Sequence, residues 1–268
     1  MENDLIYIFG GAGSIGSELV RQLAEKNRIV IFDIDETRMF DLVEELRLEG
    51  KDVSGYVMDV RDKHAIDEFI FGKAYPSVVI NAAARKHVTP MEDTPMEAVS
   101  VNIEGTYNLI EICRKYEVKL INISTDKVVN SDNIMGATKK VAEIMVRNAG
   151  FTSVRFGNVM GSRGSVLSIW QKQKDAGKPL TVTDERMERY MMTIEEACSL
   201  IIKVIPEEGG HIYILDMGDP VRILDLAKKI VGENIRMIGI RPGEKLTEQL
   251  MTEEERSRAK KIGNIWIL

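Results

Sequence analysis

Leu5-Ile6-Tyr7-Ile8-Phe9-Gly10-Gly11-Ala12-Gly13-Ser14-Ile15-Gly16 decides the fold. Five apolar residues in a row read as a strand buried on both faces. The glycines at 10, 13 and 16 then mark a turn that opens a helix running to about Glu25. In such a turn Gly10 supplies the sharp bend, Gly13 lets backbone approach a pyrophosphate, and Gly16 lets the helix lie close to the strand. The start of the helix, Ser14-Ile15, offers free N–H groups and a partial positive charge to phosphates. A glycine triplet alone also fits a plain turn in a sheet protein. Its context here agrees with nucleotide binding. A second apolar run, Arg28 to Phe32, ends in Asp33, which is placed to accept hydrogen bonds from ribose hydroxyls. A carboxylate there repels a 2′-phosphate, so the pattern predicts NAD rather than NADP.

The alternation continues outward. A helix is expected from about Glu36 to Leu48, a strand from Val53 to Met58 ending at Asp59-Val60, and a helix from His64 to Phe71. The strand Ser77 to Ile80 ends in Asn81-Ala82-Ala83-Ala84. Small residues at a strand end let a flat ring lie against the backbone, or simply let a helix pack tightly. Asp59 is either a partner for adenine or a cap for the helix after it. A helix from about Pro95 to Tyr116 leads into the strand Leu120 to Ile123. This βαβ series predicts an α/β fold built on a doubly wound parallel sheet of Rossmann type, with a smaller C-terminal substrate lobe. The sheet domain is expected over residues 1–156, with residues 190–205 returning to it, and the lobe mainly over 157–268.

Composition narrows the function. The chain has 268 residues, 44% hydrophobic and 29% charged, as in soluble globular proteins, and its net charge of -6 argues against a nucleic-acid binder. There is no signal peptide pattern, and no run approaches the roughly 20 apolar residues of a membrane span. Cys113 and Cys198 fall in helical patterns and read as reduced core residues, which points to the cytoplasm. Three scattered histidines and no cysteine cluster predict no metal site.

Ser124-Thr125-Asp126-Lys127 follows the strand at Leu120, and Met135-Gly136-Ala137-Thr138-Lys139 opens the next helix. A hydroxyl, a carboxylate and an amine thus stand in a row at the strand edge where open α/β sheets bind ligands. Read alone, Asp126 and Lys127 are equally an exposed ion pair, and Lys139 a solvated helix lysine.

Longer strings carry a resemblance. Gly10-x-x-Gly13-x-x-Gly16, Asp59, Asn81-Ala82-Ala83 and the Met135-x-x-x-Lys139 spacing look like an extended short-chain dehydrogenase/reductase. Ala82-Ala83-Ala84-Arg85-Lys86-His87-Val88, Ser124-Thr125-Asp126-Lys127 and Asn133-Ile134-Met135-Gly136-Ala137-Thr138-Lys139 resemble the CapD-like polysaccharide-biosynthesis family of UDP-N-acetylhexosamine 4,6-dehydratases. So do Arg155-Phe156-Gly157-Asn158-Val159, Gly161-Ser162-Arg163-Gly164-Ser165-Val166 and Arg241-Pro242-Gly243-Glu244-Lys245-Leu246. The likeness runs from Ile6 to about Leu250.

The resemblance implies an NAD-dependent lyase acting on a UDP-sugar, UDP-N-acetylglucosamine foremost. It implies a homo-oligomer, and catalytic roles for Thr125, Asp126, Lys127, Met135 and Lys139. Gly10, Gly13, Ser14, Ile15, Gly16, Asp33, Asp59, Val60, Asn81, Ala82, Ala83 and Lys139 would hold the cofactor. Lys86, His87, Asn158, Arg163, Arg189, Arg241 and Glu244 would meet the substrate, the arginines at its diphosphate. Arg163 is otherwise a solvated loop residue, and Arg189 and Arg241 surface charge among Glu185, Glu188 and Glu244. Most short-chain dehydrogenases carry Tyr where Met135 stands, and a thioether neither gives nor takes a proton. The same Met occurs in the long, membrane-anchored branch of the family, so it supports membership. That branch also carries transmembrane helices and an extra N-terminal domain, and this chain, starting at the dinucleotide-binding strand without either, is expected to be a free-standing soluble catalytic unit. Two other readings remain: a nucleotide-sugar 4-epimerase, and an inactive NAD-sensing binding protein.

Toward the C-terminus the patterns predict helices at Ser165–Ala176, Ile194–Ile205, Ile223–Val231 and Glu244–Met251. Short strands are expected at Leu180–Val182, His211–Leu215 and Ile235–Ile240. Thr252 to Lys261 reads as a solvated helix or mobile tail, and Ile265–Leu268 as an edge strand or a subunit contact.

Overall fold

A computed structural model describes residues 2–72 and 74–268. The apolar runs form six parallel strands: β1 (Leu5–Phe9), β2 (Arg28–Asp33), β3 (Val53–Val57), β4 (Val78–Asn81), β5 (Lys119–Ile123) and β6 (Thr152–Arg155). They lie in the order β3-β2-β1-β4-β5-β6, followed by Ile212–Leu215, Ile265–Ile267 and Lys260–Ile262. The order reverses between β1 and β4, and in such sheets the ligand crevice opens at that point.

Strand periodicity explains why the runs are apolar throughout. Ile6 and Ile8 face a core with Leu19, Val20 and Ile201, while Tyr7 and Phe9 face another with Ile66, Leu109 and Cys113. Helices Ser14–Leu23, Glu36–Leu48 and Ile194–Val204 cover the first face. Lys63–Gly72, Gly105–Lys115 and Ile134–Asn148 cover the second. Both cysteines are free and buried, and burial pushes each thiol up to about 12. Neither is therefore a nucleophile at neutral pH.

After residue 157 the chain divides: residues 194–204, Ile212–Leu215 and the strands from Lys260 join the sheet domain. What remains is a small body around buried Trp170, Leu180, Met187 and Ile223. It carries helices Val166–Asp175, capped by Ser165, and Ile223–Val231, with Leu180–Val182 paired parallel to Ile235–Met237.

Two expectations change. Residues 244–251 are irregular, not helical: Leu250 and Met251 pack on Ile212 and Ile214, and the Leu246 carbonyl accepts from Glu188 N–H. Tertiary contacts here override helix propensity. Ile265–Ile267 lies inside the sheet, antiparallel to Ile212–Leu215, and the lysine-bearing Lys260–Ile262 is the edge. Charge on an outer strand discourages pairing with other chains. The charged segment before it is a solvated helix, one of its two expected forms: Glu253–Arg258 buries no residue and opens with a capping box between Thr252 and Glu255.

Candidate active site

The glycine-rich turn is built for close approach. Gly10 has φ of 73°, and a Cβ on it would stand 2.6 Å from Ala83 N. A Cβ on Gly16 would overlap the Gly10 carbonyl. Gly13 precedes helix Ser14–Leu23 with no side chain capping its N–H groups. A cleft runs from this turn past Phe9, Asp33, Asp59, Val60, Ala82 and Ala83. Asp33 faces that cleft and also braces the turn, accepting from Ala12 N–H at 2.9 Å and Asp35 N–H at 3.0 Å. The Val60 side chain itself packs on Gly105.

Two expected cofactor contacts have structural duties. Asn81 is buried, donating to Thr106 Oγ1 (3.2 Å) and Asn122 Oδ1 (3.1 Å) and accepting from Ala83 N–H (3.2 Å). It shapes the turn instead of offering its amide to the cleft. Asp59 does not cap the following helix; Asp62 does, accepting from Ala65 N–H at 3.0 Å. Asp59 grips Arg61 through its guanidinium and its N–H, and that hydrogen bonding holds its carboxyl below the usual range.

Lys86, His87 and Arg163 form a strap over the same turn. Arg163 N–H donates to Ser14 Oγ at 3.0 Å, and its guanidinium donates to the Ala12 carbonyl. Lys86 Nζ donates to the Arg163 carbonyl at 2.7 Å. The His87 ring lies against Gly164, where a Cβ would stand 2.6 Å from Cε1. These three residues therefore sit on the side of the glycine-rich turn, although the substrate was their expected partner.

After β5, Asp126–Val128 form a short 3-10 turn capped by Thr125, whose hydroxyl accepts from Lys127 N–H. Asp126 is fully buried. Its Oδ1 accepts from Lys127 Nζ at 2.9 Å and from Thr125 Oγ1 at 3.0 Å. Lys127 Nζ also donates to Asn158 Oδ1 at 3.0 Å. An ordinary loop ion pair would be solvated; this one is desolvated and held on three sides.

Helix Ile134–Asn148 presses on that turn. Asn133 caps it, accepting from Gly136 N–H at 2.8 Å. A Cβ on Gly136 would overlap the Lys127 carbonyl oxygen, so only glycine permits this approach. Gly136→Ala is expected to cost about 1–3 kcal/mol of stability through overpacking, and to move the Lys127 turn. Thermal unfolding and turnover of the variant check this; an unchanged midpoint with full turnover would show that the turn yields freely.

Met135 is buried with Met91 and Ala98, away from any polar partner. Lys139 is buried and donates to the Ile123 carbonyl, and burial pulls its ammonium down to about 8. Asn102, in a π-helical stretch Val99–Glu104 that interrupts the expected Pro95–Tyr116 helix, brackets Arg85 N–H and carbonyl and Thr138 Oγ1. It links the turn after β4 to the Lys139 helix.

The three remaining expected residues differ in availability. Arg189 donates to the carbonyls of Glu188, Lys245 and Leu246, so the chain itself holds its guanidinium. Arg241 is exposed; its N–H donates to Glu244 Oε2 at 3.3 Å, its carbonyl accepts from Glu244 N–H at 3.1 Å, and its guanidinium has no partner among the described residues. Glu248 was not anticipated. It is buried, 3.7 Å from Lys127 Nζ and 3.8 Å from Arg189 Nε, in a stretch whose apparent helical pattern hid it.

The chain is similar to known proteins. The chain is 41% identical over 280 residues to the capsular polysaccharide biosynthesis protein CapD of Staphylococcus aureus, covering 95% of this chain and 46% of that one. The chain thus spans about half the length of that relative. It is 34% identical over 266 residues to a UDP-N-acetylglucosamine 4,6-dehydratase (inverting) of Campylobacter jejuni, covering 93% and 78%. The X-ray structure of Pen from Bacillus thuringiensis superposes with a TM-score of 0.93 at 34% identity, covering 99% of this chain and 89% of that one. The profile of the polysaccharide biosynthesis protein family matches residues 6–268, from β1 to the last strand, and the chain belongs to that family.

Proposed function

We propose that the chain is a UDP-N-acetylhexosamine 4,6-dehydratase using NAD, with UDP-N-acetylglucosamine as its first candidate substrate. The observation that carries this reading is the Asp126–Lys127 pair at the end of β5, its carboxylate fully buried and its ammonium partly so. A 4-epimerase needs proton transfer at one oxygen only; an adjacent acid and base suit elimination across two carbons. The glycine cradle, the uncapped start of helix Ser14–Leu23 and Asp33 at the end of β2 fit a dinucleotide.

Bound NAD would supply the hydride acceptor that takes hydride from the sugar C4 and returns it to C6. The protein handles protons. Asp126 takes the C4 hydroxyl proton, with Thr125 holding that oxygen. The C4 ketone acidifies the C5 hydrogen, which neutral Lys127 removes and later gives back. Asp126 then delivers its proton to the departing C6 hydroxyl. The C4 proton and the C6 hydroxide leave together as one water, so the balance closes. Met135 has no part in this transfer, which is why the C4 proton falls to Asp126. Lys139 orients the nicotinamide ribose, and Arg241, with its side chain exposed, contacts the diphosphate.

The deciding experiment incubates pure protein with NAD and UDP-N-acetylglucosamine and weighs the sugar product. Loss of one water is expected. An isomer of unchanged mass would make the chain an epimerase, and no product at all would favour a binding protein. A second expectation concerns the cofactor. Asp33 places a carboxylate beside the ribose position, so NAD should bind about tenfold or more tighter than NADP. Titrating apo-protein with each checks it; equal affinities would remove Asp33 from that role.

A further inference from the structure

Glu248 is the one carboxylate of the Lys127 cluster with no assigned duty. Its Oε1 lies 3.7 Å from Lys127 Nζ and 3.8 Å from Arg189 Nε, beyond hydrogen-bond reach of either. Its Oε2 is buried with no partner among the described residues, and so is Asp126 Oδ2. A carboxylate retained for stability would have its oxygens satisfied, because an unpaired buried charge is costly. Two carboxylates here share one ammonium.

We propose that Glu248 is a positioning residue of the acid–base pair, controlling the pH at which Lys127 sheds its proton. This rests on the reading of Lys127 as the C5 base. The groups facing Lys127 are Asp126 on its own turn, Asn158 on the strand Asn158–Val159, and Glu248, with Arg189 and Lys245 beside Glu248. Burial, with the Asp126 charge adding to it, raises the Glu248 carboxyl above its ordinary range, against the pull of Lys127, Arg189 and Lys245. A carboxyl in that setting takes a proton readily. Transfer from Lys127 breaks one N–H bond and forms one O–H bond. It leaves an amine and a neutral acid, so a buried ion pair becomes a buried neutral pair without any proton from solvent. The amine is then ready to act as a base. A purely structural Glu248 would have no effect on this proton.

Glu248→Gln keeps the shape and removes the charge. Lys127 then keeps only Asp126 as counter-charge beside it, and its ammonium is less favoured. The acid limb of the turnover–pH profile should move to lower pH by about one unit or more, the size expected for a charge at this range. Glu248→Asp keeps the charge and should stay within about half a unit of wild type. The same titration is read without turnover by competitive labelling of the Lys127 amine across pH, followed by peptide mass spectrometry. A Glu248→Gln profile that superposes on wild type, or a Glu248→Asp profile displaced as far as Glu248→Gln, would overturn the proposal. The two readings separate cleanly. A shifted labelling midpoint in a protein that never dehydrates the sugar keeps Glu248 in control of Lys127 and removes the dehydratase assignment. Dehydration with an unmoved midpoint removes Glu248 alone.

Discussion

Arg155→Leu is expected to lower the free energy of unfolding by about 3–5 kcal/mol, the usual cost of breaking a buried ion pair. Arg155 ends β6 with 2% of its side chain exposed, against 3% for Glu143. Its guanidinium donates to both Glu143 oxygens (2.5 and 3.1 Å), to the Leu250 carbonyl (2.9 Å) and to both Glu255 oxygens (2.9 Å each). Leucine fills part of the space but leaves Glu143 charged and unpaired in the core. The damage should therefore exceed what lost contacts alone predict. Arg155→Leu combined with Glu143→Leu should recover much of it, because the fully buried charge is then gone and only the partly exposed Glu255 loses its partner. Urea unfolding of the three variants gives the numbers. A loss under about 1 kcal/mol for the single variant would show that the network is not a stabilising tie.

The same pair adds a pH dependence. Burial works against the ionised Glu255, but Arg155 outweighs it and holds that carboxyl below its ordinary 4.5. A carboxyl depressed in the folded state stabilises above its unfolded value and loses that contribution as pH falls through the folded one. Docking of helix Glu253–Arg258 should thus weaken in acid below about pH 4.5, and proteolysis near residues 250–260 should report it.

Much of this was legible because it rests on local pattern. Apolar runs of strand length, glycines at fixed spacing and alternating helices specify a parallel sheet with one ligand edge, and β1 to β5 fall within a residue of where the sequence puts them. Asp126 and Lys127 were visible as neighbours at a strand end, but their burial was not, because it comes from Phe156, Asn158 and Glu248, distant in the chain. Residues 244–251 misled for the same reason. Leu246, Leu250 and Met251 are spaced for a helix, yet Lys245, bonded to the Val129 carbonyl at 3.0 Å, and the Glu188–Leu246 contact hold the segment open. Asn81 is a further case: its position at a strand end is legible, but that Thr106 and Asn122 stand beside its amide is not. Periodicity reports which face is buried; it does not report which buried polar atoms find each other.

Lys127→Ala is expected to lower turnover about 10²–10⁴-fold, the range for removing a positioned base. The form of the loss matters more than its size. With Asp126 intact, oxidation at C4 remains available, so reduced cofactor should accumulate to a detectable level while no water is lost. Exchange of the C5 hydrogen with solvent deuterium should stop if Lys127 is the group that removes it, as proposed. Asp126→Asn separates the two duties of the carboxylate. If Asp126 acts only on the departing C6 hydroxyl, C4 oxidation and C5 exchange survive and elimination fails. If it also takes the C4 proton, as the buried and proton-inert Met135 requires, no ketone forms and exchange disappears as well. The second result is expected here. Asparagine preserves the shape of Asp126, but its amide neither accepts the C4 proton nor returns one to C6. Deuterium uptake in the sugar by mass spectrometry, read beside the absorbance of reduced cofactor, distinguishes all of these. Near-normal turnover in Lys127→Ala would move the base elsewhere, with Lys86, held 2.7 Å from the Arg163 carbonyl across the glycine-rich turn, as the next residue to replace.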